Sequence, residues 1–193
     1  MTDNDIIAQI VQGDRNMYRK LVDKYQPMVF RTCMGFLHNK DDSDDLTQDV
    51  FIQAYQTLPG FKGDATFSTW IYRIAVNASL NKTRKSSKSL LIQRFEMSFG
   101  GSKNKEYSFP SPDTENPENI LILNEHREWV KKALESLPEN QRTAIVLSKY
   151  DDLSQKQIAE IMKTSEGAVE ALMQRAKANL RKKLSALQKK KKK

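Results

Sequence analysis

The 193-residue chain contains only one cysteine, two histidines, seven glycines and six prolines. The single Cys33 excludes an intramolecular disulfide, and no histidine or cysteine lies at metal-ligand spacing from another, which argues against a zinc site. So little glycine and proline excludes collagen-like and glycine-rich classes. No apolar run approaches 18 residues and the N-terminus is acidic, unlike a signal peptide. We therefore expect a cytoplasmic protein without membrane insertion.

Sequence patterns of common enzymes are also missing. The chain has no G-x-x-x-x-G-K phosphate loop and no G-x-S-x-G nucleophile elbow. Cys33 lies in an apolar helical pattern, which favours a small core residue over a nucleophile. The acidic pairs Asp41-Asp42, Asp44-Asp45 and Asp151-Asp152 fall at predicted helix starts, where carboxylates complement the helix dipole. We expect neither catalysis nor a cofactor.

Positive charge is in excess, and it is arranged in bands. The formal net charge is +8 and the pI is about 9.5. Residues 1–60 carry a net charge of −3, 61–105 of +7, 106–160 of −5 and 161–193 of +9. A solvated face explains any single band. Two basic bands separated by acidic ones favour two separate contacts with a polyanion such as nucleic acid.

Helical periodicity dominates the first part of the chain, and no segment shows sustained strand alternation. Apolar residues recur at spacings of three and four, which predicts four helices in one small domain over residues 1–82. Pro59-Gly60 ends the third helix, and Thr66 or Ser68 is a suitable N-cap for the fourth.

The pattern disappears between about Asn81 and Glu118, and these 38 residues are too long for an ordinary loop. We predict a linker over residues 83–118, a second helical domain over 119–188, and a disordered lysine tail over 189–193. The predicted fold class is all-α, with two small helical domains joined by a long flexible linker.

The second domain contains a helix-turn-helix pattern. Ser154 to Gln157 forms an S-x-x-Q capping box before a short helix, and Ser165 can cap a longer basic helix after a tight turn. A plain helical hairpin is the alternative. In a helix-turn-helix, the N-terminal residues of the second helix meet base edges in the major groove. Residues of the outer face that suit such contacts are Ser165, Glu166, Glu170, Ala171, Gln174 and Arg175.

The first domain has a second candidate surface, the run from Phe61 to Arg73. It mixes aromatic, small polar and cationic side chains after a turn, a composition that can stack unpaired bases and hold their edges. The alternative is that Phe67 and Trp70 belong to the core.

Three segments of the first domain resemble region 2 of the extracytoplasmic-function (ECF) sigma factors of bacterial RNA polymerase: Asp44 to Phe51, Phe61 to Asp64, and Thr69 to Asn77. In the second domain, several short motifs are similar to region 4 of the same family. They are Leu134 to Pro138, Gln141-Arg142, Leu153-Ser154, Ile158-Ala159, Gly167 to Val169 and Arg175-Ala176.

The resemblance implies roles for these segments. Region 2 is expected to bind the clamp helices of core polymerase, and region 4 to bind the flap and to read the −35 duplex. At Glu170 the sequence departs from the family, which commonly carries Arg or Lys there. An anti-sigma factor is a further expected partner. The implied polymerase-binding residues are Asp45, Leu46, Gln48, Asp49 and Phe51. The implied −10 residues are Phe61, Lys62, Gly63, Asp64, Ala65, Thr66, Trp70, Arg73 and Asn77.

The length of the linker agrees with this interpretation. Promoter elements about two helical turns apart lie roughly 70 Å from each other. A free chain of 38 residues spans about 34 Å r.m.s. and about 130 Å when extended. A helix-turn-helix regulator that acts without core polymerase is the main alternative. A nuclease with a helix-turn-helix arm is more distant, because the sequence offers no metal cluster or nucleophile.

Overall fold

The computed structural model describes residues 1–99 and 128–191, and within these ranges the chain is helical and contains no strand. The all-α prediction is therefore confirmed for the described part of the chain. Short 3-10 turns lie at Arg15–Met17 and Leu58–Gly60. The helices are α1 (Asp3–Val11), α2 (Tyr18–Leu37), α3 (Lys40–Thr57), α4 (Phe67–Phe99), α5 (128–135), α6 (Glu139–Lys149), α7 (Gln155–Met162) and α8 (Glu166–Lys191).

Side-chain caps begin the helices that position the candidate sites. Thr66 accepts a hydrogen bond from a backbone N–H in the first turn of α4, and Ser165 does the same for α8. Ser154 and Gln157 form a reciprocal capping box at the start of α7. The helix starts predicted at Thr66, Ser154 and Ser165 are thus confirmed, because each hydroxyl satisfies an N–H that has no partner within its helix.

Helix α4 continues well beyond the predicted end of the first domain. Residues 83–99, which the sequence assigned to the linker, are its last turns. No glycine or proline interrupts the chain between Gly63 and Gly100, so nothing in the sequence ends the helix earlier. The rest of the predicted linker, residues 100–118, lies outside the described residues.

The N-terminal unit, formed by α1 to α4, packs around one apolar core. Its fully buried members are contributed by α2, α3, the turn after α3 and α4, and Cys33 is one of them. The prediction of Cys33 as a core residue is confirmed, and burial raises the pKa of its thiol. The largest of these buried side chains are Leu21, Val29, Val50, Leu58, Phe67 and Ile71.

The C-terminal unit, formed by α5 to α8, packs around a second core that the N-terminal unit shares. Val146, Leu147, Ile158 and Val169 are fully buried in it. Side chains of α2 and α4 complete the same core: Phe36, Tyr72, Val76 and Leu80. The two units therefore pack against each other through apolar surface.

Candidate nucleic-acid interface

The loop between α3 and α4 has an exposed backbone and a glycine that its shape requires. Gly63 has a φ of +77°, a conformation that other residues rarely adopt. Lys62, Gly63, Asp64 and Thr66 are exposed, whereas Phe61 and Ala65 are half-buried. The polar side chains of the predicted −10 loop are therefore accessible around a tight turn at Gly63.

Three aromatic rings stand behind this loop. Phe67 is buried in the core, and the rings of Phe61 and Trp70 pack against it with centroids 6.1 and 5.5 Å away. Phe61 and Trp70 also contact each other edge to face, at 5.3 Å. The core alternative is thus right for Phe67 and in part for Trp70, because Phe61 and Trp70 are partly buried against the core and partly exposed. Such partly exposed rings can stack unpaired bases.

Arg73 and Asn77, which were also predicted to contact the −10 element, lie further along α4. The C-terminal unit packs close to both. Arg73 donates hydrogen bonds from Nη2 to the carbonyl of Glu160 (2.7 Å) and from Nε to that of Ile161 (3.2 Å). Asn77 is exposed and, with Arg73, lines a cleft of about 310 Å³ between the two units. Asn140, Thr143, Met162 and Lys163 line its other side.

The first turns of α8 present the predicted duplex-reading face to solvent. Ser165, Glu166, Glu170, Gln174 and Arg175 are exposed, and Ala171 is half-buried. The opposite face of the helix is buried in the shared core through Val169, Met173 and Ala176.

Glu170 and Gln174 contact each other on this face. Gln174 Nε2 lies 3.4 Å from Glu170 Oε1, one helical turn away, so the carboxylate orients the amide. Further along α8, the exposed cations Lys177, Arg181 and Lys182 lie where phosphate contacts are expected.

Helix α3 divides the predicted polymerase-binding residues between its two faces. Asp45, Gln48 and Asp49 are exposed. Leu46 and Phe51 are only 5% and 6% exposed and belong to the N-terminal core, so their assignment as surface contacts was wrong. Both residues belong to the apolar stripe of α3 that faces the core. The same helix face cannot pack in the core and also contact polymerase.

The outer face of α3 also carries an apolar residue that was not predicted as a contact. Ile52 is 57% exposed and follows the acidic residues of that face. The signal that could have found it is an apolar residue outside the inward stripe of the helix.

Asp151 was also misassigned by the sequence. Its predicted role was to complement the dipole at a helix start, but its side chain is fully buried against the N-terminal unit. Thr32 Oγ1 donates a hydrogen bond to Asp151 Oδ2 at 2.9 Å, and Arg31 Nε lies 3.6 Å from Oδ1. Burial raises the pKa of Asp151 to about 6, although the hydrogen bond from Thr32 and the charge of Arg31 lower it.

Two comparisons identify the family. A family model described as sigma-70 region 2 matches residues 21–89, and a model of sigma-70 region 4 matches residues 127–180. The chain is 35% identical to the ECF RNA polymerase sigma-E factor of Escherichia coli, over 97% of this chain and 96% of that protein. The chain belongs to the ECF sigma factors. It is a specificity subunit of RNA polymerase, and both predicted regions are present in the predicted order.

Further relatives of this sigma factor cover nearly its whole length. It is 31% identical to the RNA polymerase sigma-H factor of Pseudomonas aeruginosa, over 96% of this chain and 95% of that protein. Among solved structures, CnrH in complex with the cytosolic domain of CnrY is similar with a TM-score of 0.62 and 25% identity, over 95% of this chain and 97% of CnrH. The sigma factor RpoE in complex with the anti-sigma factor NepR from Bartonella quintana shares the fold, with a TM-score of 0.56 and 20% identity over 87% of this chain and 96% of RpoE.

The described residues of this sigma factor contain no group of three or more His, Cys, Asp or Glu side chains that could hold a metal ion. None of the helices in the described ranges is both long and apolar enough to cross a membrane.

Proposed function

We propose that this sigma factor directs core polymerase to promoters by reading two DNA elements with two parts of one chain. Residues 1–82 hold the polymerase and the melted −10 element, and residues 119–188 read the −35 duplex. Residues 83–118 connect the two parts, and the lysines of 189–193 add affinity for phosphate that does not depend on sequence. The observation that carries the proposal is the pairing of an exposed, capped α8 with a loop backed by half-exposed aromatic rings.

The −35 contacts are proposed on the exposed face of α8. Its N-terminal residues can enter a major groove while the opposite face stays in the core. A guanidinium at Arg175 suits O6 and N7 of guanine, and the amide of Gln174 suits adenine. The carboxylate of Glu170 orients that amide, which supports a positioning role for Glu170 in place of a base contact of its own.

The −10 contacts are proposed on the loop from Phe61 to Thr66 and on the start of α4. An extruded base can stack on the accessible part of the Phe61 or Trp70 ring, and Lys62 within the loop can bind a phosphate. Arg73 and Asn77 extend the surface along the helix. Strand opening then draws on binding energy to unstacked bases, and this chain catalyses no reaction of its own.

The polymerase contact is proposed on the outer face of α3. Asp45, Gln48 and Asp49 supply an acidic, hydrogen-bonding surface suited to basic clamp helices, and Ile52 supplies an apolar anchor beside them. Interfaces commonly depend on a few such anchors surrounded by polar contacts. The C-terminal unit is proposed to bind the flap.

An anti-sigma factor is proposed as a regulatory partner. One structure with the same fold holds CnrH together with the cytosolic domain of CnrY, and another holds the sigma factor RpoE together with the anti-sigma factor NepR. The cleft between α4 and the C-terminal unit is a concave surface of this chain that such a partner could enter.

Transcription from a promoter library with purified core polymerase tests the proposal. We expect specific initiation at promoters that share two elements about two helical turns apart. Specific binding to a palindrome in the absence of polymerase, without initiation, would support a conventional regulator instead.

The polymerase surface can be tested with a matched pair of variants. Val11 on α1 and Ile52 on α3 are both 57% exposed aliphatic residues. We expect Ile52→Ala to weaken the complex with core polymerase by at least about 1 kcal/mol, and Val11→Ala to leave it unchanged. Fluorescence anisotropy with labelled protein measures both, and equal affinities of the two variants would contradict the assignment of the α3 face.

A further inference from the structure

The rings proposed to stack an extruded base rest on one buried residue. Phe61 and Trp70 are partly exposed, and both pack against Phe67, which is 1% exposed. Phe61, Phe67 and Trp70 together form an aromatic platform. A ring that has to be ordered when a base binds costs free energy, so a platform that is held in place beforehand binds more tightly. The residues that hold Phe67 therefore matter for the −10 contact.

Tyr25 of α2 is the residue that packs on Phe67 from outside the platform. The two ring centroids are 5.2 Å apart, with the ring planes inclined by 56°. Tyr25 is buried, and its hydroxyl donates a hydrogen bond to Asp3 Oδ2 of α1. A phenylalanine would fill nearly the same space, but only the tyrosine hydroxyl ties the ring to a polar partner.

Asp3 is itself fixed by a second partner. Lys24 Nζ lies 2.6 Å from Asp3 Oδ1, and the same ammonium group lies over the Tyr25 ring, 5.0 Å from its centroid. Partial burial raises the pKa of Asp3, but the hydrogen bonds from Lys24 and Tyr25 outweigh this effect and leave the pKa below its ordinary value. The carboxylate is therefore ionised at neutral pH, and a hydrogen bond to an ionised acceptor is stronger than one to a neutral acceptor.

Helix α1 is held on the N-terminal unit by contacts that do not involve Asp3. Thr2 and Asp5 form a reciprocal capping box at its start. Apolar side chains of the helix are buried in the N-terminal core: Ile6, Ile7 and Ile10. Such packing supplies most of the stability of a short helix in a protein. The bond between Asp3 and Tyr25 is therefore not needed to dock α1, and its distinct effect is on the tyrosine ring.

Helix α1 also contacts the segment that leads into the −10 loop. It packs against the turn Leu58–Gly60, which directly precedes Phe61. The N–H of Phe61 donates a hydrogen bond to the Leu58 carbonyl at 3.0 Å, so this turn determines where the first ring of the platform starts. One helix thus supports both the backbone before the loop and, through Asp3, the ring behind it.

We propose that Asp3 and Tyr25 are positioning residues of the −10 surface. The carboxylate fixes the tyrosine ring, that ring fixes Phe67, and Phe67 holds the two partly exposed rings in the arrangement that accepts an extruded base. Neither residue touches DNA in this scheme. The inference rests on the proposed function for the DNA contact, whereas the series of contacts from Asp3 to the platform stands on the structure alone.

Tyr25→Phe is the first test variant, because it removes only the hydroxyl. Tyr18→Phe is its matched control. Tyr18 is the other tyrosine of α2, and its hydroxyl donates a hydrogen bond to the Phe51 carbonyl at 2.6 Å. Its ring packs against Tyr55 and not against the platform. Both variants lose one hydrogen bond of the N-terminal unit, so a general loss of stability should affect both.

Asp3→Ala is the second test variant, and Asp5→Ala is its matched control. Both remove a carboxylate from the first turn of α1, and Asp5→Ala in addition breaks the capping box. Only Asp3→Ala releases Tyr25. Circular dichroism and thermal unfolding of the full chain record helix content and stability for all four variants.

The first measurement needs no DNA. The chain has two tryptophans, so Trp70 can be observed alone in a Trp129→Phe background. We expect Tyr25→Phe and Asp3→Ala to increase acrylamide quenching of Trp70 and to lower its fluorescence anisotropy, because the platform is less firmly held. The two controls should leave both quantities unchanged. Equal quenching in Tyr25→Phe and Tyr18→Phe would overturn the positioning role.

The second measurement is binding of the holoenzyme to a labelled single strand that carries the −10 element of a promoter from the library. We expect Tyr25→Phe to weaken this binding by between about twofold and tenfold, the range for one hydrogen bond, and the controls to leave it unchanged. A change in Trp70 fluorescence with unchanged strand affinity would overturn the role in promoter binding.

Phe61→Ala in the same strand-binding assay separates this inference from the proposed function. Unchanged affinity of Phe61→Ala would show that the −10 assignment itself is wrong. A loss with Phe61→Ala but none with Tyr25→Phe or Asp3→Ala would overturn the positioning role alone.

Discussion

Arg73 and Arg175 are the same residue type in two different environments. The guanidinium of Arg73 is bound by two backbone carbonyls of α7, while that of Arg175 extends from the exposed face of α8. Both were assigned to DNA from the sequence. The side chain available for immediate base contact in the packed state is Arg175.

Replacement of Arg175 by alanine tests the −35 assignment. We expect Arg175→Ala to weaken promoter binding by roughly 1–3 kcal/mol and to relax preference at one base pair, because a bidentate contact to guanine is lost. Competition binding of the holoenzyme to promoters with single substitutions measures both effects. Arg181→Ala is the matched control, expected to weaken all sequences equally through a phosphate contact. Unchanged affinity of Arg175→Ala would contradict the assignment.

Asp151 and His38 are titratable groups of opposite kind at the contact between the units. Burial raises the pKa of Asp151 to about 6. Burial lowers the pKa of His38 to about 4, and the positive charges of Lys131 and Arg142 contribute. His38 also lies 3.4 Å from the Tyr150 hydroxyl through Nδ1. Both groups therefore resist ionisation in the packed state.

Their effects on stability have opposite signs. The folded-state pKa of Asp151 is above its ordinary value of 3.8. Its contribution to the free energy of unfolding is therefore present in acid and is lost as the pH rises through about 6. The pKa of His38 is below its ordinary value of 6.5. Its contribution to the free energy of unfolding is therefore present above pH 6.5 and is lost as the pH falls toward 4. In the wild type the two dependences oppose each other between pH 4 and 6.5.

Single substitutions should separate the two dependences. Relative to the wild type, we expect the free energy of unfolding of Asp151→Asn to rise between pH 4 and 6 and then to level off. For His38→Gln the dependence on pH is reversed. Relative to the wild type, its free energy of unfolding should rise as the pH falls from 6.5 to 4. Urea unfolding at several pH values gives both curves, and a pH-independent difference for either variant would contradict the burial of that group.

At the scale of elements, side-chain caps define where the helices of the reading unit begin. Ser154 and Ser165 occupy N-cap positions that the sequence pattern already predicted. The end of α4 was not predictable in the same way. Residues 83–99 carry no apolar stripe strong enough to predict a helix, yet they continue one, because extending an existing helix costs less than starting a new one.

Removal of the α7 cap tests whether side-chain caps stabilise the helices of the helix-turn-helix. We expect Ser154→Ala to lower the free energy of unfolding of the chain by about 1 kcal/mol, because the capping box loses its hydroxyl. Ser185→Ala, an exposed serine within α8, is the matched control and should be neutral or slightly stabilising. Urea titration monitored by circular dichroism distinguishes them, and equal stabilities would argue against a functional cap.

At the scale of the whole molecule, the shared core makes two family regions behave as one packed body. Helices α2 and α4 of the N-terminal unit supply four side chains to the core of the C-terminal unit. Each unit contains one tryptophan, Trp70 and Trp129, so each can be observed separately.

Single-tryptophan variants should show this coupling. With Trp129→Phe or Trp70→Phe as background, we expect the fluorescence transitions of the two units in urea to coincide. The further change Gly35→Ala should separate them, because the added methyl would lie 2.6 Å from Val146 Cγ1 and so disrupt the packing of α2 against α6. Two separate transitions in the backgrounds alone would show that the units fold independently.

The sequence by itself determined the helical class, the capped helix starts, the two regions and their family, since these depend on local periodicity, hydroxyl caps and short motifs. It also predicted the exposed face of α8, because a helix with one apolar stripe has a defined outer side. Only the tertiary structure decided which of those residues are accessible. Leu46 and Phe51 lie in the core, Asp151 lies between the units, and Arg73 is bound by α7, because burial depends on which distant helix packs on each face. No spacing within one helix carries that information.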